Sequence, residues 1–96
     1  TEVLFLNFGN EFVEIFHNDV YKLRKNNISC ELYPTTEKLK KQLSYADKKG
    51  VKLVVIIGPD EREKNKFILK NMITGDQLTF PFEELLAKII EYINKN

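Results

Sequence analysis

The chain has one cysteine, one histidine, four glycines and almost no net charge, and each shortage removes a class of function. A single thiol, Cys30, permits neither an internal disulfide nor a cysteine-based metal cluster. It alternates with Ile28 and Leu32 in an apolar-leaning segment and reads as a buried thiol. His17 has only Asn18 and Asp19 beside it in the sequence, with no nucleophile or acid placed for catalysis, and reads as a solvated helix residue. Gly9 stands alone where a dinucleotide fold needs G-x-G-x-x-G, and no Gly-Lys-Ser/Thr element builds a phosphate loop. The first apolar run ends in Asn7-Phe8-Gly9, without the carboxylates that hold Mg²⁺ in a phosphoacceptor domain of this size. Arg24 and Arg62 alone build no ATP site. No apolar run approaches the roughly 18 residues that span a membrane, and there is no signal-peptide pattern, so a soluble, cytoplasmic location is expected.

What is present is an uneven distribution of charge. The formal net charge is +1, yet residues 35–52 hold six lysines against Glu37 and Asp47. A polyanion responds to such a local excess rather than to the total. The lysines belong to an amphipathic helix predicted from a Thr36 cap to Gly50, the position beyond a helix that glycine favours. Leu39, Leu43 and Ala46 line one side, the face expected against a sheet. Lys38, Lys41, Gln42, Tyr45 and Lys49 fall together on another, spaced i, i+3, i+4, i+7. Cations, an amide and an aromatic ring suit phosphates and unstacked bases.

Around that helix the pattern reads βαβαβ followed by ββα. Val3–Phe8, Ile28–Tyr33 and Lys52–Ile57 are predicted strands, the first and third apolar enough to be buried on both faces. Between the first two lies a helix from about Glu11 to Lys25, with Asn10 as its cap and Phe12, Phe16, Val20 and Leu23 inward. Lys66–Met72 and Gln77–Phe80 form a hairpin around Gly75. Pro81 starts a last helix, with Leu85, Leu86, Ile89, Ile90 and Ile93 on its apolar side. Short crossovers make the first three strands parallel, and the hairpin adds one antiparallel strand. The fold class is α/β: a three-layer α/β/α domain with a five-stranded mixed sheet and three helices, spanning residues 1–96. The chain opens on Thr1 rather than Met, in mid-strand, which suggests a piece of a longer protein.

The third strand delivers Asp60 and Glu61 to its carboxyl end, where open α/β sheets bind ligands, with Glu63 following. A mixed-charge run with Arg62 and Lys64 is commonly a solvated loop, but a carboxylate there also accepts from base amino groups. Lys70 reads either as an edge lysine guarding against aggregation or as a phosphate or base contact.

The run KLKKQLSYADKKG, then LVVIIG, a glutamate three positions after that glycine, and LKNMITGDQ together resemble the C-terminal anticodon-binding domain of histidyl-tRNA synthetases. Leu23-Arg24 with Ile28 and Glu31 fits the same pattern, and the resemblance covers essentially the whole chain. Its most specific parts are Lys41-Gln42 with Tyr45-Ala46-Asp47, and Lys70 with Thr74-Gly75 and Gln77. The related threonine, proline and glycine enzymes share the fold but not usually this run. Pro59 and Asn65 depart from the family, which commonly has an acidic residue and a glycine there. The resemblance implies that the domain holds the anticodon loop of the cognate histidine tRNA. A separate catalytic domain of the same parent chain then uses ATP and Mg²⁺, and no cofactor is expected in residues 1–96. The parent is expected to be a homodimer. Anticodon contacts are implied at Thr36 and Lys38, at Glu61 and at Lys70; from the chemistry of the helix face itself, Lys38, Lys41 and Lys49 are expected on phosphates and Tyr45 to stack. The rival reading is a non-catalytic module of this fold used for protein–protein or regulatory contacts.

Overall fold

The computed structural model describes residues 2–94, with the backbone alone over residues 10–16. The order is β1 (Val3–Phe5), α1 (Asn10–Lys25), β2 (Cys30–Leu32), α2 (Leu39–Lys49), β3 (Leu53–Ile56), α3 (Pro59–Glu63), β4 (Lys66–Asn71) and β5 (Gln77–Pro81). A 3-10 turn at Phe82–Glu84 leads into α4 (Leu85–Asn94). The five strands form one sheet in the order β2-β1-β3-β4-β5. β1, β2 and β3 are parallel, and β4 is antiparallel to both of its neighbours. This is the mixed three-layer sheet expected. The strands end earlier than the apolar runs that announce them, because burial continues through Leu6 and Ile57 after pairing stops.

Successive residues of β1 and β3 serve opposite cores, which is why neither strand alternates. Val3, Phe5, Leu53 and Val55 join Phe67 and Leu69 of β4 against Leu23 of α1 and Leu85 and Ile89 of α4. Leu4, Val54 and Ile56 point the other way, onto Ala46 of α2 with Tyr33 and Val51. Val20 packs partly into the first core as expected. The side chains of Phe12 and Phe16, expected beside it, lie outside the described residues. Cys30 is a free, buried thiol, and His17 is exposed.

Several helix boundaries are corrected. Gly9 takes the cap position of α1, and Asn10 is already helical. Lys38 precedes α2 in extended conformation with no side-chain cap, so Thr36 lies two residues outside the helix rather than capping it. Gly50 ends α2 in the left-handed conformation at φ 74°, its N–H on the carbonyls of Ala46 and Asp47. Leu39, expected inward, is 43% exposed. The fully buried residues of α2 are Gln42 and Ala46, one turn apart, with Leu43 and Tyr45 partly buried beside them, so the helix is rotated relative to the apolar stripe.

The acidic segment after β3 is a short helix, a fourth, rather than a loop. Pro59 stands at its start, where the missing N–H costs nothing and the fixed φ suits a helix. Glu61 Oε1 accepts from the Gly58 N–H at 3.0 Å, closing that first turn. Asn65 leaves α3 at φ 55°, the left-handed region that asparagine tolerates and glycine commonly fills. Pro81 remains in β5, paired with Lys66, and does not open the last helix.

Phe67 is fully buried, its ring 5.7 Å from that of Phe80. Phe67→Ala is expected to cost about 3–5 kcal/mol in urea unfolding, and a loss below about 1 kcal/mol contradicts its place in the core.

Candidate nucleic-acid interface

The register places Glu31, Leu4, Val54, Lys70 and Gln77 in one row across the sheet, on the face that carries α2. α2 lies over the first part of that row, and Lys70 and Gln77 lie beyond it. Lys70 is half-buried and Gln77 exposed. The next row toward the carboxyl end of β3 runs Ile56, Ile68 and Thr79. α3 follows directly from that strand end. It brings Glu61 and Lys64 to Lys66, Ile68 and Thr79, and these five line a surface hollow of about 320 Å³.

Of the positions singled out from the sequence, Lys38, Glu61 and Lys70 stand ready for a partner. Lys38 and Thr36 are exposed on the segment that enters α2, at the carboxyl ends of the parallel strands. No acidic residue occupies the first turn of α2, so the positive end of the helix dipole and the Lys38 ammonium lie at the same place. Glu61 spends one carboxylate oxygen on the Gly58 N–H, and the other has no partner among the described residues. Lys70 likewise has no ion pair among the described residues.

Gln42, Tyr45, Lys49 and Lys41 are engaged within the fold. Gln42 is fully buried, with its amide bonded to the backbone of Asn7 and Glu37. It is corrected from the exposed basic face to the interior, because those backbone groups at the strand ends need its donors and acceptor. Tyr45 packs edge-on against Tyr33 at 5.2 Å, and its hydroxyl donates to the Glu31 carboxylate. Lys49 donates to the same carboxylate at 2.9 Å and to the Tyr45 hydroxyl at 3.0 Å. The length of α2 also separates Lys49 from Lys38 by about 16 Å at 1.5 Å per residue. Lys41 forms an ion pair with Glu37 at 2.9 Å.

Lysine hydrogen bonds move the titrations of these groups. Lys49, with help from Tyr45, holds the Glu31 carboxyl below the usual range, and Glu31 raises Lys49 in return. Lys41 and Glu37 shift each other in the same senses. Burial pushes the Cys30 thiol up.

Lys64, Lys66, Ile68 and Thr79 were not singled out by motif. The available signal was the alternation of Lys66, Ile68 and Lys70 with Phe67 and Leu69, which gives β4 one apolar face and one mixed face.

A family model described as "Anticodon binding domain" matches residues 2–92. The chain is 40% identical over 90 residues to a histidine–tRNA ligase of Flavobacterium johnsoniae, covering 94% of this chain and 19% of that protein. It is 44% identical over 79 residues to that of Leptospira biflexa, covering 82% and 18%. It therefore spans about a fifth of the length of these relatives. Among solved structures, histidyl-tRNA synthetase from Nostoc sp. PCC 7120 superposes with a TM-score of 0.84 at 27% identity, over 97% of this chain and 22% of that one. A prolyl-tRNA synthetase from Cryptosporidium parvum reaches 0.85 at 18% identity, over 99% and 21%, and shares the fold. Among the described residues no helix is long and apolar enough to cross a membrane.

Because its folded-state titration is depressed, Glu31 contributes stability that is fully present above the ordinary glutamate pKa of about 4.3 and is lost as pH falls below it. Thermal melts of wild type and Glu31→Gln are expected to converge as pH drops from 6 to about 3. Melting curves that stay parallel over that range remove Glu31 from the acid response.

Proposed function

The chain belongs to the anticodon-binding domain family, and from that membership we propose that it grips the anticodon loop of a histidine tRNA. In this reading it is the C-terminal domain of a histidine–tRNA ligase. The observation that carries the reading is the half of the sheet beyond α2, where Lys70 and the Glu61 hollow stand without helical cover, with Lys38 exposed at the carboxyl ends of the parallel strands.

The chemistry suits single-stranded RNA. Unstacked bases lie over β4 and β5, where Ile68 offers an apolar surface and Thr79 and Gln77 offer hydrogen bonds. Glu61 accepts from a base amino or imino group through its unpaired oxygen, a donor pattern that guanine and cytosine supply. Lys38 and the α2 N-terminus hold phosphate, Thr36 adds a hydroxyl, and Lys70 reaches base or phosphate from the sheet. Tyr45, Lys49, Gln42 and Lys41 support this surface rather than contact the RNA.

The chemical steps belong, in this reading, to a catalytic domain of the same parent chain that binds ATP and Mg²⁺ and pairs as a homodimer in the cytoplasm. Residues 1–96 bring recognition and no catalysis.

Titration with a histidine-tRNA anticodon stem-loop at low salt tests the reading. Lys70→Ala is expected to weaken binding about tenfold, within the 1–3 kcal/mol of one base contact. Lys38→Ala is expected to lower the slope of log affinity against log salt by about one, as the loss of one phosphate contact does. Lys49→Ala stays near wild type. Unchanged affinity in both Lys38→Ala and Lys70→Ala overturns the assignment.

A further inference from the structure

Gln42 is a polar residue in the position on α2 where an apolar one would suffice. Its side chain is 0% exposed, and every group of its amide is used. Nε2 donates to the Asn7 carbonyl at 2.9 Å and to the Glu37 carbonyl at 2.8 Å. Oε1 accepts from the Asn7 N–H at 2.8 Å. Asn7, 8% exposed, extends the cluster: Nδ2 donates to the Tyr33 carbonyl at 3.0 Å, and Oδ1 accepts from the Gly9 N–H at 3.0 Å. Two side chains thus bind together the end of β1, the exit of β2, the entry to α1 and the segment that leads into α2.

Burying an amide costs more than burying a methionine or leucine of similar size, and complete hydrogen bonding offsets that cost without exceeding it greatly. What the amide adds is a single permitted arrangement. That arrangement centres on Lys38. The side chain of Gln42 holds the Glu37 carbonyl just before Lys38, and its backbone N–H donates to the Lys38 carbonyl at 3.2 Å. Among the described residues the other side-chain ties of this segment gather on the Glu37 carboxylate, which accepts from Thr35 at 3.0 Å, pairs with Lys41 at 2.9 Å and takes a hydrogen bond from Tyr33; they hold the Glu37 side chain, whereas Gln42 holds the backbone next to Lys38.

We propose that Gln42 is a positioning residue for RNA recognition: without touching the RNA, it fixes residues 36–38 at the strand ends and acts through Lys38. The proposal rests on the anticodon-loop reading above and adds to it the residue that sets the geometry of one of its contacts.

The test is a double-mutant cycle on the chain, read by affinity for a histidine-tRNA anticodon stem-loop and by amide hydrogen exchange. Gln42→Met keeps length and volume and loses the hydrogen bonds. It is expected to stay folded, to speed exchange of the Lys41 and Asn7 amides, and to weaken binding about tenfold, as one lost oriented contact does. Lys38→Ala then costs little further in that background, whereas Lys70→Ala, on β4 and away from the cluster, costs its full amount. A general loss of folded protein would leave both pairs additive, and that result overturns the proposal, as does wild-type affinity in folded Gln42→Met. If Gln42→Met does not fold, Gln42→Glu, which is isosteric and keeps an acceptor for the Asn7 N–H but gives up donation to the Asn7 and Glu37 carbonyls, decides by the same cycle. Absence of binding by the wild-type chain defeats the anticodon reading itself and the proposal with it. Binding with additive cycles defeats the proposal alone.

Discussion

The constraint behind the whole arrangement is that one helix cannot cover a five-stranded sheet. Strands spaced about 4.8 Å apart make a sheet roughly 20 Å across, while a helix with its side chains is about 10–12 Å wide. α1 and α4 share one face and bury it under Leu23, Leu85 and Ile89. α2 is alone on the other and closes the β2–β1–β3 half with Ala46, Leu43 and Tyr45. The β4–β5 half of that face has no helix over it among the described residues, though Ile68 and Met72 still pack partly against the same core. There β4 carries Lys66, Ile68 and Lys70 while its other side carries Phe67 and Leu69, and β5 adds Gln77 and Thr79. The place of the open sheet surface follows from there being one helix on this face among the described residues.

Charge then decides which parts of the molecule offer a polyanion an unpaired cation. Of the six lysines in residues 35–52, Lys41, Lys49 and Lys52 are paired with Glu37, Glu31 and Glu2. Half of the six are thus matched by a carboxylate. Lys38 stays unpaired among the described residues, at the end of α2 whose dipole reinforces it. The opposite end of the helix is occupied by the Glu31, Tyr45 and Lys49 cluster, which fastens α2 to the edge strand. The same helix is thus anchored at one end and available at the other.

Much of the fold is legible in the residues because local chemistry governs it. Gly50 stops α2, the runs around Leu4 and Val54 are apolar throughout because both faces are covered, and the Asn71–Gly75 turn reverses the chain into β5. The motifs that carry the family resemblance lie along the chain in order. α3 was illegible because five residues are too few for a period, and Pro59, which looked like a departure, is a helix-starting residue there. Asn65 likewise replaces glycine without changing the backbone it must adopt. Glu61, Lys38 and Lys70 could be named from the sequence, but the hollow that joins Glu61 to Lys64, Lys66, Ile68 and Thr79 depends on three elements meeting.

The opening asymmetry of charge survives, but its meaning is altered. By itself the sequence determined the order of the elements apart from α3, the mixed sheet, the family and the presence of a lysine-rich second helix, all properties written in neighbouring residues and their periods. Only the tertiary structure decided which face of that helix is inward. Periodicity favours Leu39, Leu43 and Ala46, yet Gln42 turns in and Leu39 turns out, because the partners of Gln42 are backbone groups of Asn7, 35 residues away. A hydrogen bond across that separation has no local signature, and it is what rotates the helix.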